Sequence, residues 1–171
     1  MLNKAYLFFI LIIALVTAGC QPRESGDFAI YLLAQDVASV ELAKVDLNQL
    51  ALEEGPIISA EDIVTYDQTT HEIELTQAAY ARIQQIFPLP VKVDGIPFVV
   101  CVGEQPVYAG AFWTPLSSLS FDGVVIMQPF DTDGTTIRIV LGYPGPDAFM
   151  GRDPRADERV MKALQAAGKL K

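Results

Sequence analysis

The side chains best suited to chemistry are few in this chain, and they lie far apart in the sequence. There is one histidine, His71, and there are two cysteines, Cys20 and Cys101. A nucleophilic cysteine needs a nearby base and a lowered pKa, and thirty residues separate His71 from Cys101. Cys101 stands in an apolar, β-branched run that predicts a buried strand. His71 opens a polar–apolar alternation and is predicted to be a surface residue of a strand.

Carboxylates are abundant, with 21 Asp and Glu residues, but their spacing indicates no metal or acid–base site. General acid–base catalysis needs a carboxylate whose pKa is shifted by burial, and no sequence pattern here indicates one. Asp131-Thr132-Asp133-Gly134 is similar to the start of a calcium loop, yet no glutamate follows to complete the ligands. We predict a hairpin turn there. We predict no catalytic residue, no metal and no cofactor.

The most unusual local composition is an aromatic segment, residues 108–113. Tyr108, Phe112 and Trp113, the only tryptophan, come at the end of a predicted strand, just before a Pro/Ser loop. Aromatic side chains at such a position form recognition surfaces, so we predict that these three bind a ligand or a protein partner. The alternative is that Tyr108 and Phe112 belong to the core and that Trp113 seals the sheet edge.

The N-terminal residues are typical of an export signal. A short basic start, residues 1–4, precedes an apolar run, residues 5–18. As a helix this run would rise only about 21 Å, less than the roughly 30 Å of hydrocarbon in a bilayer. Ala18-Gly19-Cys20 resembles the lipobox of bacterial lipoproteins, although Thr17 stands where leucine is usual.

The lipobox resemblance implies that residues 1–19 are a signal peptide and that Cys20 is diacylated. Two acyl chains hold a protein on a membrane where one does not. The polar residues 20–26 are predicted to form a tether, and residues 27–171 a single folded domain. The expected location is the cell membrane, on its extracytoplasmic side. The alternatives are an ordinary secretory signal cut before Cys20, or an uncleaved anchor.

Charge is unevenly distributed along the 171 residues. The chain has 12 Lys and Arg against 21 Asp and Glu, for a net charge of −9. An acidic surface repels phosphate, so we predict no nucleic-acid partner. Residues 152–171 carry six bases and three acids. This basic end either contacts anionic lipid or, as an ordinary amphipathic helix, packs on its own sheet and pairs with acidic groups.

The pattern of the domain predicts an α+β fold with a mixed or antiparallel sheet and two main helices packed on it. A helix is predicted over residues 76–87, capped by Thr76, and another over residues 154–167, closed by Gly168. Hairpin partners are predicted at residues 96–102 with 106–111, and at residues 123–127 with 135–141. Two further stretches give less regular patterns: residues 28–33 suit a central strand, and residues 40–52 are predicted to end in extended structure.

The order of these elements resembles that of a known periplasmic domain. A polar–apolar strand leads into Leu75-Thr76 at a helix start, and a hairpin follows whose second strand holds Pro106-Val107-Tyr108. Residues 71–86 and 98–114 are similar to the periplasmic head region of SecD-type translocase subunits. The resemblance implies a similar small α+β fold. It carries over no catalytic residue, and the multi-span translocase body has no counterpart here.

Together these features favour a non-catalytic, lipid-anchored module of the cell envelope that binds a protein partner or a small ligand. One alternative is a small envelope hydrolase or transferase whose residues converge only in the fold. Another is an accessory factor in secretion or envelope assembly.

Overall fold

The structure, a computed structural model, describes residues 26–87, 89–131 and 134–171. Eight strands and two α-helices make up most of it. The strands are β1 Phe28–Leu32, β2 Ile58–Ser59, β3 Ile63–Asp67, β4 Glu72–Leu75, β5 Ile96–Val102, β6 Gln105–Trp113, β7 Phe121–Met127 and β8 Thr136–Tyr143. The helices are α1 Gln77–Gln85 and α2 Glu158–Ala166, and 3-10 turns cover Ser39–Lys44, Leu47–Gln49, Ala60–Asp62 and Pro146–Ala148.

All eight strands belong to one sheet in the order β2-β1-β5-β6-β7-β8-β4-β3. Every neighbouring pair is antiparallel except β6 and β7, which run parallel. The two edge strands, β2 and β3, are joined by the single 3-10 turn Ala60–Asp62. Three residues span only about 10 Å, so the sheet curls until its two edges come near each other.

The predicted α+β class is therefore confirmed in its broad form, with a mixed sheet and two main helices. The sheet dominates the molecule more than the prediction implied. Both predicted hairpin pairs are present, as β5 with β6 and β7 with β8. The parallel pairing of β6 with β7 was not predicted, because it depends on the path of residues 114–120 and not on the pattern of either strand.

The helices form where the caps predict them. Thr76 accepts a hydrogen bond from the Ala79 amide at the start of α1, and Asp157 accepts one from the Arg159 amide at the start of α2. Gly168, which follows the second helix, has a φ of 70°, the left-handed conformation that ends a helix. The second helix begins four residues later than predicted, because residues 154–157 form a turn that places Asp157 as the cap.

The two sides of the sheet carry separate hydrophobic clusters. Alternate residues of β5 point to opposite sides: Phe98 and Val100 to one, Val99 and Cys101 to the other. We call the first side the helix face, because α1 and α2 pack there through Ala79, Tyr80, Ile83, Val160, Ala163 and Leu164. We call the second side the loop face, because Leu42 and Leu50 of an irregular segment cover it.

The segment that covers the loop face differs from its prediction. Extended structure was expected at the end of residues 40–52, but the segment folds into the two 3-10 turns Ser39–Lys44 and Leu47–Gln49. Residues 28–33 were expected to form a central strand, and β1 has only the two-residue β2 between it and the sheet edge.

The predicted signal peptide, Cys20 and most of the tether lie outside the described residues. Within the described ranges, no helix has both the length and the apolar character needed to cross a bilayer.

Candidate functional site

An irregular loop, residues 35–50, lies over the loop face and is fastened at its base. Its neck is closed by an antiparallel bridge between Leu33 and Leu52 and by the Ala34 amide, which donates to the Ala51 carbonyl at 2.9 Å. Within the described part of the chain, the hydrogen bonds recorded for residues 35–50 are made inside the loop itself. Apolar contacts therefore hold this loop on the sheet. A compact loop of this kind is an Ω-loop, and the name Ω-loop is kept for residues 35–50 below.

Opposite the Ω-loop, strands β6 and β7 are paired over only part of their length. Their parallel pairing runs from Gly110 with Val124 to Trp113 with Met127, so residues 105–109 pair with β5 alone. The connection between the two strands is residues 114–120, far shorter than the dozen or more residues of a usual parallel crossover. The strands part at their starts, and this opening exposes one side of each to the Ω-loop.

The Ω-loop and the parted strands enclose a groove of about 660 Å³. Its lining is mostly apolar and comes from three segments. The Ω-loop contributes Ser39, Val40, Leu42, Ala43, Val45 and Leu47; the strand starts contribute Val107, Tyr108, Ala109, Ser120, Phe121, Asp122, Gly123 and Val124; and the third segment contributes Phe149, Gly151 and Pro154. A concave, mainly apolar site of this volume is typical of small-molecule binding sites.

The prediction that Tyr108, Phe112 and Trp113 form an exposed recognition surface is wrong, because all three side chains are buried. Trp113 and Phe112 are 0% exposed, and Tyr108 is 5% exposed. Phe112 packs edge-on to Phe87 and tilted against Phe98 on the helix face. The alternation of β6 sends Trp113 to the loop face, where it lies in the core of the sheet. The core alternative therefore holds for Tyr108 and Phe112, and Trp113 is more deeply buried than an edge-sealing residue.

Trp113 is held between three neighbours on the loop face. Its ring stacks on Phe121 with centroids 5.0 Å apart and an interplanar angle of 11°, and it lies 5.8 Å from the Tyr143 ring. Gly95 lies against the indole: a Cβ at Gly95 would be 2.5 Å from that ring and 2.8 Å from Ser39 Oγ. Only glycine fits there, where Ser39 of the Ω-loop comes near the six-membered-ring edge of the indole formed by Cε3 and Cζ3.

Four buried side-chain polar atoms of the described residues have no hydrogen-bond partner. Within the described residues these buried atoms are Ser39 Oγ, Tyr108 Oη, Trp113 Nε1 and Gln128 Oε1. Ser39 is only 2% exposed, so its hydroxyl has lost water without gaining a partner. A buried unpaired polar group costs about 1–3 kcal/mol, and such groups are rare in native proteins. Two of them, Ser39 and Tyr108, belong to residues that line the groove.

His71 is the second prediction that the structure overturns. It is only 8% exposed, and it lies on the turn before β4 with a φ of 56°, in the left-handed region that few non-glycine residues adopt. Its Nδ1 lies 3.0 Å from the Tyr66 hydroxyl, at hydrogen-bond distance. The left-handed turn directs the side chain inward, which the alternating pattern could not indicate.

Burial and the nearby Arg155 guanidinium shift the pKa values of His71 and Tyr66. Burial lowers the pKa of His71, and the Arg155 guanidinium lowers it further. Burial also raises the pKa of the Tyr66 and Tyr108 hydroxyls. Arg155 itself is paired with Asp153 at 2.8 Å and donates to the Ile139 carbonyl. The structure records no carboxylate bonded to His71 among the described residues, so the histidine lacks the orienting partner of a catalytic triad.

The remaining chemical candidates stay apart. Cys101 is buried as predicted, and burial raises the pKa of its thiol. This makes it a poor nucleophile. Asp131 and Gly134 lie on the connection between β7 and β8, as a turn requires, while Thr132 and Asp133 are outside the described residues. In residues 26–87, 89–131 and 134–171, no three His, Cys, Asp or Glu side chains come together as metal ligands.

The basic end pairs with acids from its own sequence. Arg159 bonds Asp157 at 2.9 Å, and Lys162 bonds Glu158 at 2.6 Å. The apolar stripe of α2, with Val160 and Leu164, packs on the helix face. This packing agrees with the second alternative for the basic end, in which it forms an ordinary amphipathic helix on its own sheet. The acids of these two ion pairs are the cap residue Asp157 and the first helical residue Glu158, so they come from the start of the helix itself.

Comparison with known proteins gives no family for this chain: no family model, no curated protein and no solved structure matches it. The interpretation of the groove as a binding site therefore depends on its geometry alone. Sequence reasoning missed it, because Ser39 and the Ω-loop carry no motif. The only sequence signal was the mixed spacing of apolar residues over 40–52, which fits neither a regular strand nor a regular helix.

Proposed function

We propose that this protein is a lipid-anchored extracytoplasmic module of the cell envelope that binds a small apolar molecule in the groove beneath the Ω-loop. The observation that carries the proposal is the groove itself, a hollow of about 660 Å³ with an apolar lining. The chemical candidates support binding over catalysis, because the buried His71 contacts Tyr66 of the helix-face cluster while Cys101 belongs to the loop-face cluster.

The place at which the chain enters the folded domain supports the proposal of a lipid anchor at Cys20. Gly26, six residues after Cys20, packs against Gly103 at the turn between β5 and β6. Val107, which lines the groove, lies four residues beyond that turn. A tether through Cys20 would hold this end of the domain toward the lipid. The groove would then lie near the membrane, where apolar molecules concentrate.

The anchor is tested by replacing Cys20 with serine in the full chain and following the protein in membrane and soluble fractions. We expect Cys20→Ser to leave the membrane fraction. Cys101→Ser is the matched control, since Cys101 lies in the sheet core, and it should stay with the membrane. Equal membrane retention of both variants would contradict lipidation at Cys20.

The groove is tested with a photoreactive alkyl diazirine probe added to the full chain in phosphatidylcholine vesicles. Peptide mapping should find the label on groove residues, chiefly around Leu42, Val107 and Phe121. Ala43→Phe fills the groove from its exposed wall and should lower that labelling at least about fivefold. Ala78→Phe adds the same ring to an exposed position on α1 and should not change it. Labelling spread evenly over the surface would refute the groove as the site.

A further inference from the structure

The groove reaches the surface of the domain beside two exposed apolar side chains, Val40 and Met150. Val40 is 60% exposed and lines the groove from the Ω-loop. Met150 is 83% exposed, and its two neighbours in the sequence, Phe149 and Gly151, both line the groove. Large apolar side chains exposed beside an apolar hollow mark an interaction site. We call Val40, Met150 and the exposed lining residue Ala43 the groove mouth.

The backbone at both exposed positions is fastened to the domain. The Met150 amide donates a hydrogen bond to Asp122 Oδ1 at 2.8 Å, which ties this residue to the start of β7. Val40 belongs to the 3-10 turn Ser39–Lys44, and Leu42 of the same turn is buried in the loop-face cluster. The groove mouth is therefore a defined part of the folded surface.

The chain enters the domain at the same end of the sheet as the groove mouth. Gly26 packs against Gly103 in the turn that leads into β6, and Val107 lines the groove at the start of that strand. Strand β7 starts at the same end, because it runs parallel to β6. Residues 5–18 are an uncharged apolar run, and Cys20 comes six residues before Gly26. Six residues span at most about 20 Å, so an anchor at Cys20 keeps this end close to the lipid.

Exposed apolar side chains also occur at the opposite end of these strands. Strand β6 has nine residues, which corresponds to a length of roughly 30 Å. The segments beyond its far end carry large apolar residues that are 44% to 90% exposed: Leu89, Val93, Leu116 and Phe130. The anchor distinguishes the two ends, because the chain enters at the end that holds the groove mouth. The far end supplies matched controls.

Charged residues beside the groove mouth are of both signs. Glu41 and Lys44 lie in the Ω-loop, and Asp122 and Arg152 lie next to Met150. The whole chain is acidic, with a net charge of −9, so a strongly anionic membrane would repel it. This charge pattern favours a zwitterionic bilayer surface, whose headgroups carry both signs.

We infer that the groove mouth docks on a zwitterionic bilayer, with Val40 and Met150 in contact with lipid, and that the groove takes a hydrocarbon chain, such as a lipid acyl chain, directly from it. An apolar chain would then pass from lipid to groove without exposing its surface to water, which is the unfavourable part of any such transfer. This inference rests on the proposed binding function and adds to it the chemical class and the source of the ligand.

Docking is tested with the fluorophore NBD attached to Met150→Cys in the full chain in phosphatidylcholine vesicles. Cys20 is acylated in the proposal and Cys101 is buried, so the introduced thiol takes the label. Phospholipids with a doxyl group on the acyl chain should quench this NBD at least about threefold more than NBD on Leu116→Cys at the far end. Equal quenching at the two positions would refute docking. A blue-shifted emission at residue 150 without quenching would also refute it, because a protein surface such as a second copy would then cover the mouth.

Entry from the bilayer is tested with two photoreactive diazirine probes in the same vesicles. One is a phospholipid with the diazirine in its acyl chain, and the other is a short alkyl alcohol that dissolves in water. The double variant Val40→Asp with Met150→Asp places two carboxylates at the mouth and should lower groove labelling by the phospholipid at least about fivefold. Labelling by the alcohol should stay nearly unchanged. Leu116→Asp at the far end should leave labelling by both probes unchanged.

The outcomes separate this inference from the proposed function. If the double variant lowers labelling by neither probe, the groove binds apolar molecules but the mouth is not their route. If it lowers labelling by both probes equally, the new charges act on the groove and not on transfer from lipid, and entry from the bilayer is refuted. If NBD at residue 150 is quenched while neither probe labels the groove, the docking surface stands and the proposed binding function fails.

Discussion

The two faces of the sheet are covered in contrasting ways, although the same strands build both. On the helix face, α1 and α2 pack as hydrogen-bonded units, each with its own cap. On the loop face, the cover is the Ω-loop; within the part of the chain that the structure describes, it contacts the sheet through apolar side chains and is fastened at its neck, with one exposed ion pair between Asp36 and Lys92. A helix satisfies its backbone groups internally wherever it packs. The contrast shows that the larger hydrophobic cluster lies beneath the regular helices, whereas the smaller one lies beneath a cover without regular secondary structure of its own beyond two short 3-10 turns.

The largest expected effect is a difference between the two faces in the free energy of unfolding that is lost when a buried side chain is truncated. Phe112→Ala removes a fully buried ring on the helix face and should cost about 3–5 kcal/mol. Leu42→Ala on the loop face should cost about 2 kcal/mol, the low end for such truncations, because the loop can settle into the space left behind. Guanidinium unfolding followed by circular dichroism measures both. Similar losses for the two, after allowing for side-chain size, would show that the loop is as firmly packed as the helices.

The second effect tests the contact where the loop meets the sheet. Gly95→Ala places a Cβ 2.5 Å from the Trp113 ring at a backbone φ of +83°. The steric and conformational penalties together should lower stability by about 2–4 kcal/mol. The emission of Trp113 should move as the ring is displaced. Gly55→Ala is the control, since no atom lies within 4 Å of its Cβ position; an equal loss there would contradict this account.

A smaller effect compares two buried tyrosines of the helix face. Tyr66→Phe breaks the bond to His71 Nδ1 and leaves the imidazole nitrogen without its partner, at a cost of about 1–3 kcal/mol. Tyr108→Phe removes a hydroxyl that has no partner, so stability should stay the same or rise by up to about 1 kcal/mol. Urea unfolding of the two variants gives the comparison. A clear loss in Tyr108→Phe would reveal a partner for that hydroxyl, such as a buried water.

The smallest effect concerns pH. Because the pKa of His71 is lowered in the folded state by burial and by Arg155, the unfolded chain binds the proton more readily. Stability should therefore fall as pH drops through the window between the ordinary value, about 6.5, and the lower folded pKa. Thermal unfolding between about pH 5 and pH 7.5 measures this. His71→Asn, which tolerates a left-handed turn, should flatten the profile, and an unchanged slope would assign the effect to other groups.

Much of the fold was accessible from the sequence because local signals agreed with one another. Thr76 capped a helix of amphipathic spacing, and Gly103 turned between two apolar runs; both predictions were confirmed. The failures have physical causes. His71 is turned inward by a left-handed backbone at one residue, which no alternation can indicate. The aromatic segment was predicted to be a surface because its composition suits one, whereas the end of β6, residues 110–113, is buried on both sides.

The candidate site was the least predictable part. Its walls come from residues 39–47, 107–109, 120–124 and 149–154, and none of these stretches has a sequence motif. They meet because β6 and β7 run parallel and part at their starts, and because the Ω-loop returns to its own neck. Pairings between distant residues of this kind leave almost no trace in local composition.

The sequence by itself determined the approximate positions of the long strands and of both helices, the buried character of Cys101 and the acidic balance of the chain, since hydrophobic period, caps and charge are local properties. It also supplied the hypothesis of a lipid anchor at Cys20. The tertiary structure alone decided which strands are neighbours, which face each side chain takes, and where the groove lies. Those outcomes depend on how the whole sheet curls to bury two faces at once, and no single segment encodes that.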